Sequence, residues 1–190
     1  MKLYLSYSLL LVMSLFLSSC AIVPLKTIKE DKNALKNSAE QGCLLLAINT
    51  DVRISSVELK SDSSFTLNDF VWLNDRNYFF APLPKGQYTL TKINLFYNGY
   101  YELDFDDVSF SFNIAPNQIN YGGELRIKRG YGGSASFELI NRSSLALEFL
   151  EAKYPNILSE KQVIYQGPGN DDFFGLVLNS TSSPILESEQ

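Results

Sequence analysis

The sequence predicts an all-β fold, an antiparallel β-sandwich with one C-terminal α-helix. From Gly42 onward, short β-rich runs are separated by turn residues at spacings of about 8–12 residues, as in sandwich domains. Hydrophobic residues make up 45% of the 190 residues, which include 13 Phe and 11 Tyr, so a sizeable core can form. We therefore expect one domain at residues 42–178.

Residues 108–114 and 119–128 alternate apolar and polar side chains, as strands with one buried face do. In the second segment the residues expected to share that face are Ile119, Tyr121, Leu125 and Ile127. Ala115-Pro116-Asn117 lies between the two segments and favours a turn, because Pro cannot donate to a ladder. The two segments are therefore predicted to form a hairpin.

A second hairpin is predicted around Asn98-Gly99, the preferred pair for a two-residue type I′ turn. It would join residues 95–97 to 100–103, and we expect it to stabilise the fold without forming a ligand site. The apolar phase of residues 88–95 shifts across Lys92, which predicts a bulge.

The remaining strands are predicted at 43–49, 53–59, 65–72, 78–81, 88–95 and 134–140, with further candidates at 163–165 and 173–178. One helix is predicted at about 144–154, because its leucines and Phe149 fall broadly on one side and Pro155 ends the run. We expect this helix to cap an edge or end of the sandwich, and residues 179–190 to form a frayed tail.

The N-terminus has the pattern of a secretory signal peptide over residues 1–19. Lys2 supplies a positive charge, and residues 3–17 form an apolar run that is shorter than the roughly 20 residues of a spanning helix. The run ends in Leu17-Ser18-Ser19-Cys20, which resembles the lipobox of bacterial lipoproteins at all four positions. An ordinary secretory signal, or an uncleaved apolar helix ending in Cys20, is the alternative.

The resemblance implies that Cys20 carries a diacylglycerol thioether, that cleavage occurs before it, and that its new amino group is a site for a further acyl chain such as palmitate. Two or three acyl chains anchor a protein stably in a membrane. Position 21 is Ala and not Asp, so the resemblance implies the outer membrane wherever the source has two membranes. Residues 20–41 contain many charged and few large apolar residues, so we expect them to form a flexible tether.

Pro84-Lys85-Gly86-Gln87-Tyr88-Thr89-Leu90 resembles the turn-and-strand segment of prealbumin-like and carboxypeptidase-regulatory-like β-sandwich domains. The resemblance covers seven residues. It implies a seven-stranded sandwich, prealbumin-like or immunoglobulin-like, with a binding or structural role.

Charge and composition exclude several classes of function. The net charge is −5, or −6 once residues 1–19 and their single lysine are removed, which argues against a nucleic-acid partner. The chain has no histidine, so the common catalytic triads and zinc sites are not expected, and we expect no cofactor, no metal and no enzyme activity. Cys43 is expected to be a buried thiol, since the alternative, a reactive thiol, needs a neighbouring base or cation.

Two acidic segments are the other candidates for chemistry: Glu102, Asp104, Asp106 and Asp107, and Asn170-Asp171-Asp172. A carboxylate pair would suit a hydrolase, and compact acidic loops would suit calcium. Neither segment follows a specific motif, so a solvated strand face and a plain polar turn are the favoured interpretations.

Exposed aromatic residues are the best candidates for a binding surface, namely Trp72, Tyr97, Tyr100 and Tyr101. Cross-strand stabilisation is the favoured role for these rings, and recognition is the alternative. We expect an exported, lipid-anchored envelope protein that binds another protein. A carbohydrate- or peptidoglycan-binding module is the second interpretation, and a carboxylate-based hydrolase the third.

Overall fold

The computed structural model describes residues 22–31, 38–68, 76–104 and 107–181, although nothing is said of the side chains of residues 180 and 181. The strands in these ranges are β1 (Val23–Pro24), β2 (Gln41–Thr50), β3 (Ile54–Lys60), β4 (Ser64–Leu67), β5 (Arg76–Pro84), β6 (Gly86–Leu95), β7 (Tyr100–Glu102), β8 (Ser111–Ile114), β9 (Ile119–Arg129), β10 (Ala135–Ile140) and β11 (Val163–Tyr165). The helices are α1 (Ser143–Lys153), α2 (Pro155–Glu160) and α3 (Phe173–Thr181). Single 3-10 turns occur at Val108–Phe110 and Tyr131–Gly133.

The first sheet has the strand order β1-β4-β3-β6-β7, with β8 also paired to β6. All its pairs are antiparallel except β1 with β4. Glu58 pairs with Lys92 and Leu59 with Leu90, so Thr91 is the extra residue of a bulge. This confirms the irregularity predicted from the apolar phase of β6.

The second sheet has the order β10-β9-β2-β5, with β11 paired to β9. Here β2 and β11 both run parallel to β9. The predicted β-rich, two-sheet architecture therefore holds, but a purely antiparallel sandwich is wrong, because both sheets are mixed. Parallel neighbours need long crossover connections, which leave no local turn signal in the sequence.

The predicted hairpin between residues 108–114 and 119–128 is also wrong. β8 pairs with β6 in the first sheet, whereas β9 pairs with β2 in the second, and the start of the first segment is a 3-10 turn. The connection between the sheets is held by the buried Asn120, whose amide donates to the carbonyl of Ala115 (2.9 Å) and accepts from the N–H of Ala115 (3.0 Å). Alternation reveals which residues are buried, but not which strand is the neighbour.

Two apolar clusters hold three layers together. Leu44, Leu46 and Ile48 of β2 face the first sheet, which contributes residues such as Leu59 and Tyr88. On the outer face of the second sheet, the helices cover a separate cluster that contains Cys43, Leu45, Phe80, Ile119, Tyr121, Leu150, Ile157 and Phe174. Because β2 is covered on both faces, nearly every one of its residues is buried.

The predicted single helix is present as α1, but it lies over the outer face of the second sheet instead of capping an edge or end. Two further helices complete this layer. The strand predicted at 173–178 is wrong, because these residues form α3, in which Phe174 is buried while Val177 and Leu178 pack on the same cluster. A short apolar run does not distinguish strand from helix.

Residues 22–31 pack against the domain, although the sequence predicted a flexible tether there. β1 pairs with β4, and the N–H of Ile28 donates to the carbonyl of Phe80 in β5 (2.7 Å). Asp31 accepts hydrogen bonds from the N–H groups of Asn156 (2.8 Å) and Ile157 (3.0 Å) at the start of α2. Residues 1–21, 32–37 and 182–190 lie outside the described ranges, so the predicted signal peptide, Cys20 and most of the predicted tail do too.

None of the helices within the described ranges is long and apolar enough to cross a membrane.

Candidate binding surface

Three aromatic side chains project from the connection between β6 and β7, namely Phe96, Tyr97 and Tyr100, and we call this group the aromatic tip. Their exposed fractions are 54%, 69% and 55%. Large aromatic side chains usually bury most of their area in the core or in an interface. The aromatic tip contains two of the predicted residues, Tyr97 and Tyr100, together with Phe96, and is therefore the best candidate for a binding surface.

The connection that presents these rings is a hairpin, as predicted, but its loop is longer than two residues. Asn94 pairs with Tyr100, and the N–H of Leu95 donates to the carbonyl of Gly99 (2.9 Å). Asn98 and Gly99 do have the expected positive φ angles, 77° and 116°. β6 continues to pair with β3 as far as Leu95, and this pairing fixes its register independently of the turn.

Two cations accompany the rings of the aromatic tip. Nη1 of Arg53 donates to the hydroxyl of Tyr97 (2.9 Å), and its guanidinium lies 5.9 Å from the ring centroid. The ammonium of Lys92 lies 4.1 Å from the centroid of the Tyr100 ring. Cation–π contacts of this kind favour a defined position for each ring, so the tip is held in place without being buried.

The other two predicted aromatic residues are Tyr101 and Trp72, and the structure describes the contacts of Tyr101. Tyr101 is half-buried, packs on Phe137 of β10 with 5.1 Å between ring centroids, and donates from its hydroxyl to the carbonyl of Gly133 (3.1 Å). These contacts connect the two sheets, and the assignment of Tyr101 to a binding surface stays a prediction. Trp72 lies outside the described residues.

One residue of each acidic segment, Asp107 and Asp171, has a structural role, and Asp106 lies outside the described residues. Asp107 accepts hydrogen bonds from the hydroxyl and the N–H of Ser109 at a 3-10 turn, and these bonds lower its pKa. Asp171 accepts from Asn141 (2.8 Å), Ser143 (2.5 Å) and the N–H of Phe173 (3.0 Å). Within the described ranges, no group of three or more acidic or cysteine side chains is placed to hold a metal ion.

Cys43 is fully buried beneath the helices, as the apolar run around it predicted. Burial raises the pKa of its thiol to about 12, although the nearby Lys161 ammonium acts in the opposite direction. A thiol in this environment is a packing residue and not a nucleophile.

Sequence reasoning missed a second polar site on the outer face of β9. It placed Tyr121 and Leu125 on one buried face, but Tyr121 faces the helices and Leu125 faces the first sheet. The available signal was Gly122-Gly123, since glycine pairs in strands often mark a bulge. This bulge turns Glu124 and Arg126 to the outer face.

In comparisons with protein-family models, curated proteins and solved structures, this chain has no significant match.

Proposed function

We propose that this protein is a lipid-anchored component of the bacterial cell envelope, attached through Cys20, and that it binds a protein partner through the aromatic tip. The proposed location is the outer membrane where the source has one. The role is non-enzymatic. The observation that carries the binding proposal is the exposure of Phe96, Tyr97 and Tyr100 at one end of the hairpin formed by β6 and β7.

The composition of the aromatic tip supports a protein partner. Tyrosine, phenylalanine and arginine are enriched at protein interfaces, and tyrosine and arginine are common among the residues that contribute most of the binding free energy. Tyr97 and Arg53 already form a hydrogen-bonded pair (2.9 Å), so a partner would meet an ordered aromatic and cationic group. Such order reduces the entropy lost on binding.

The ring geometry favours a protein over a sugar. Stacking on a sugar needs an open ring face, and the ammonium of Lys92, 4.1 Å from the Tyr100 ring centroid, covers one of the two faces of that ring. The rings of Phe96 and Tyr97 meet edge to face at 81°, with 5.2 Å between centroids, so they do not form one flat surface. Carbohydrate or peptidoglycan binding is therefore the second candidate.

The test is a pull-down from detergent-solubilised envelope with the wild-type protein and with Tyr97→Ala and Tyr100→Ala. We expect each variant to retain at most about a tenth of the partner, because residues that dominate an interface contribute about 2 kcal/mol or more. Leu176→Ala is the matched control, since Leu176 is an exposed hydrophobic residue on α3, away from the tip. Urea midpoints are measured for all variants, and those of Tyr97→Ala and Tyr100→Ala should change little.

Gly99→Val separates the loop conformation from the rings. A β-branched residue is strained at the φ of 116° that Gly99 adopts, so we expect a loss of about 1–3 kcal/mol of stability. If Tyr97→Ala and Tyr100→Ala keep full partner binding, the rings only stabilise the hairpin and the proposal fails. Saturable binding in a glycan screen that both variants abolish, with no captured protein, would favour the second candidate.

A further inference from the structure

A polar cleft lies on the outer face of the second sheet, beyond the part that the helices cover. Its lining residues are Asn49, Arg126, Lys128, Ser136 and Glu138, and its volume is about 380 Å³. Small-molecule sites have volumes of roughly 300–1,000 Å³, so the cleft suits a ligand at the small end of this range.

The bulge in β9 creates this cleft. Leu45 of β2 pairs with Tyr121 and Leu46 with Gly123, so Gly122 is the extra residue. Tyr121 and Glu124 are three positions apart yet both lie on the outer face, which a regular strand cannot achieve. The apolar half of the outer face ends at Tyr121, and the polar half begins at Glu124.

Side chains from four neighbouring strands form one row across the polar half. Arg76 of β5 pairs with Asn49 of β2, Asn49 pairs with Arg126 of β9, and Arg126 pairs with Glu138 of β10. Residues in register on one face of a sheet have side chains in mutual reach. The row therefore places two guanidinium groups, an amide and a carboxylate side by side.

Glu124 does not line the cleft but lies next to it, two residues before Arg126 on β9, and is fully buried. Its carboxylate accepts a hydrogen bond from Nε of Arg76, which raises the pKa of Arg76, and another from the amide of Asn49 (3.4 Å). Oε1 of Glu124, the oxygen that accepts from Asn49, also lies 3.8 Å from the guanidinium of Arg126. A buried carboxylate must be paired, so Glu124 holds Arg76 and Arg126 in defined positions.

Arg126 and Lys128 retain unused donors toward the cleft. Arg126 makes ion pairs with Glu124 (3.8 Å) and Glu138 (3.6 Å), distances too long for hydrogen bonds. In the described part of the chain, the ammonium of Lys128 contacts no hydrogen-bonding or ion-pair partner. A planar guanidinium beside an ammonium is the arrangement that binds a carboxylate.

Glu138 adds a preference for a ligand that carries a positive charge. It is exposed, and its carboxylate is only loosely paired with Arg126 at 3.6 Å, so it is available to a cationic group of a ligand. A ligand with one carboxylate and one ammonium would satisfy both ends of the row.

We propose that the polar cleft binds a small zwitterion, a free amino acid or short peptide, with its carboxylate on Arg126 and Lys128 and its ammonium on Glu138. This site is separate from the aromatic tip, and the proposal does not depend on the protein partner. The fixed guanidinium provides specificity for the carboxylate, and Glu138 rejects anions that carry no positive group.

The experiment is an NMR titration of the protein with dialanine, followed through the backbone amide signals. We expect saturable shifts at Asn49, Arg126, Ser136 and Glu138. Lys128→Gln and Arg126→Lys should each weaken binding about tenfold, because a charge-assisted hydrogen bond contributes about 1.5–3 kcal/mol. Arg126→Lys keeps a positive charge beside Glu124. Lys128→Gln leaves the ion pair between Arg126 and Glu124 unchanged, so we expect this variant to fold.

Arg129→Gln is the matched control, since Arg129 is an exposed arginine at the end of β9 that does not line the cleft. N-acetyl-dialanine, which lacks the ammonium, should bind at least about fivefold more weakly than dialanine, and Glu138→Gln should remove this difference. The proposal is overturned if dialanine gives no saturable shifts, if Lys128→Gln binds as tightly as Arg129→Gln, or if the acetylated probe binds equally well.

Discussion

The surroundings of a single side chain determine its chemistry in this protein. Cys43 lies in β2, covered by the helices on one side, and burial raises its thiol pKa to about 12. Glu124 is also fully buried, but it keeps hydrogen-bonding partners in Arg76 and Asn49. Burial makes the Cys43 thiol unreactive, whereas the buried Glu124 carboxylate binds its charged neighbour Arg76.

Cys43 should react slowly with a thiol reagent in the native protein. The pKa rises from 9.0 to about 12, so the thiolate fraction at pH 8 falls about a thousandfold, and steric exclusion slows the reaction further. The measurement is the rate of modification by a chromogenic disulfide at pH 8, with and without denaturant, on the Cys20→Ala protein. Native and denatured rates within tenfold of each other would contradict this expectation.

Some of these environments could be predicted from sequence and others could not. The burial of Cys43 follows from the apolar run 43–48. The polar cleft could not be predicted, because Glu124 and Arg126 also fit an ordinary solvent face until the bulge at Gly122 is known. The separation of Tyr101 from Tyr97 and Tyr100 depends on its contact with Phe137 in the other sheet, which no local pattern encodes.

The helical layer depends on hydrogen bonds at helix starts. Asp171 accepts from Ser143 at the start of α1 and from Phe173 at the start of α3, so one carboxylate joins two helices. A negative charge at these positions is also favoured by both helix dipoles. Burial acts to raise the pKa of Asp171, but its hydrogen bonds to Asn141, Ser143 and Phe173 act more strongly and lower it overall.

Asp171→Asn should reduce stability at neutral pH by about 1 kcal/mol, the usual loss at a helix start. The folded pKa of Asp171 is below its unfolded value, so its contribution is fully present above about pH 4 and is lost as the pH falls through the folded pKa. Urea unfolding at pH 7 and at pH 3 should therefore show the difference from wild type shrinking in acid. Asp172→Asn is the control, and an equal, pH-independent loss in both variants would refute the assignment.

Elements with a complete local signal were predicted well, and the others were not. α1 has an apolar face and a terminating Pro155, and it occurs where the sequence places it. Residues 173–178 have only a short apolar run, and their helical state depends on Asp171 and on the packing of Phe174. β8 pairs with β6, and β9 pairs with β2 as well as with the following strand β10, so the turn residues between β8 and β9 gave the wrong pairing.

The segment 22–31 should contribute to stability through Asp31. Two N–H groups at the start of α2 donate to its carboxylate, at 2.8 and 3.0 Å. Asp31→Ala should therefore cost about 0.5–2 kcal/mol, as the loss of a helix cap does. Thermal or urea unfolding measures this loss, with Lys29→Ala as the exposed neighbouring control, and equal midpoints for the two variants would mean that the segment is only loosely attached.

The packing of residues 22–31 also shortens the link between the proposed anchor at Cys20 and the domain. Only Ala21 separates Cys20 from Ile22, and β1 begins at Val23. A chain spans at most about 3.6 Å per residue, so an anchor at Cys20 would leave only a very short link to the described domain. If Cys20 carries lipid, the β1–β4 edge of the first sheet lies close to the membrane surface. Residues 22–31 then do not act as a long free tether, because they pack against the domain.

Cys20→Ala should abolish lipidation, because the thioether needs the thiol at this position of the proposed lipobox. Cells grown with a clickable fatty-acid analogue should label the wild-type protein but not Cys20→Ala, which should also stay unprocessed and so keep residues 1–19. Cys43→Ala is the matched control: it removes the other cysteine, which is buried, and should keep the label in full. Incorporation that persists in Cys20→Ala, or is lost in a folded Cys43→Ala protein, would show that the anchor is not at Cys20.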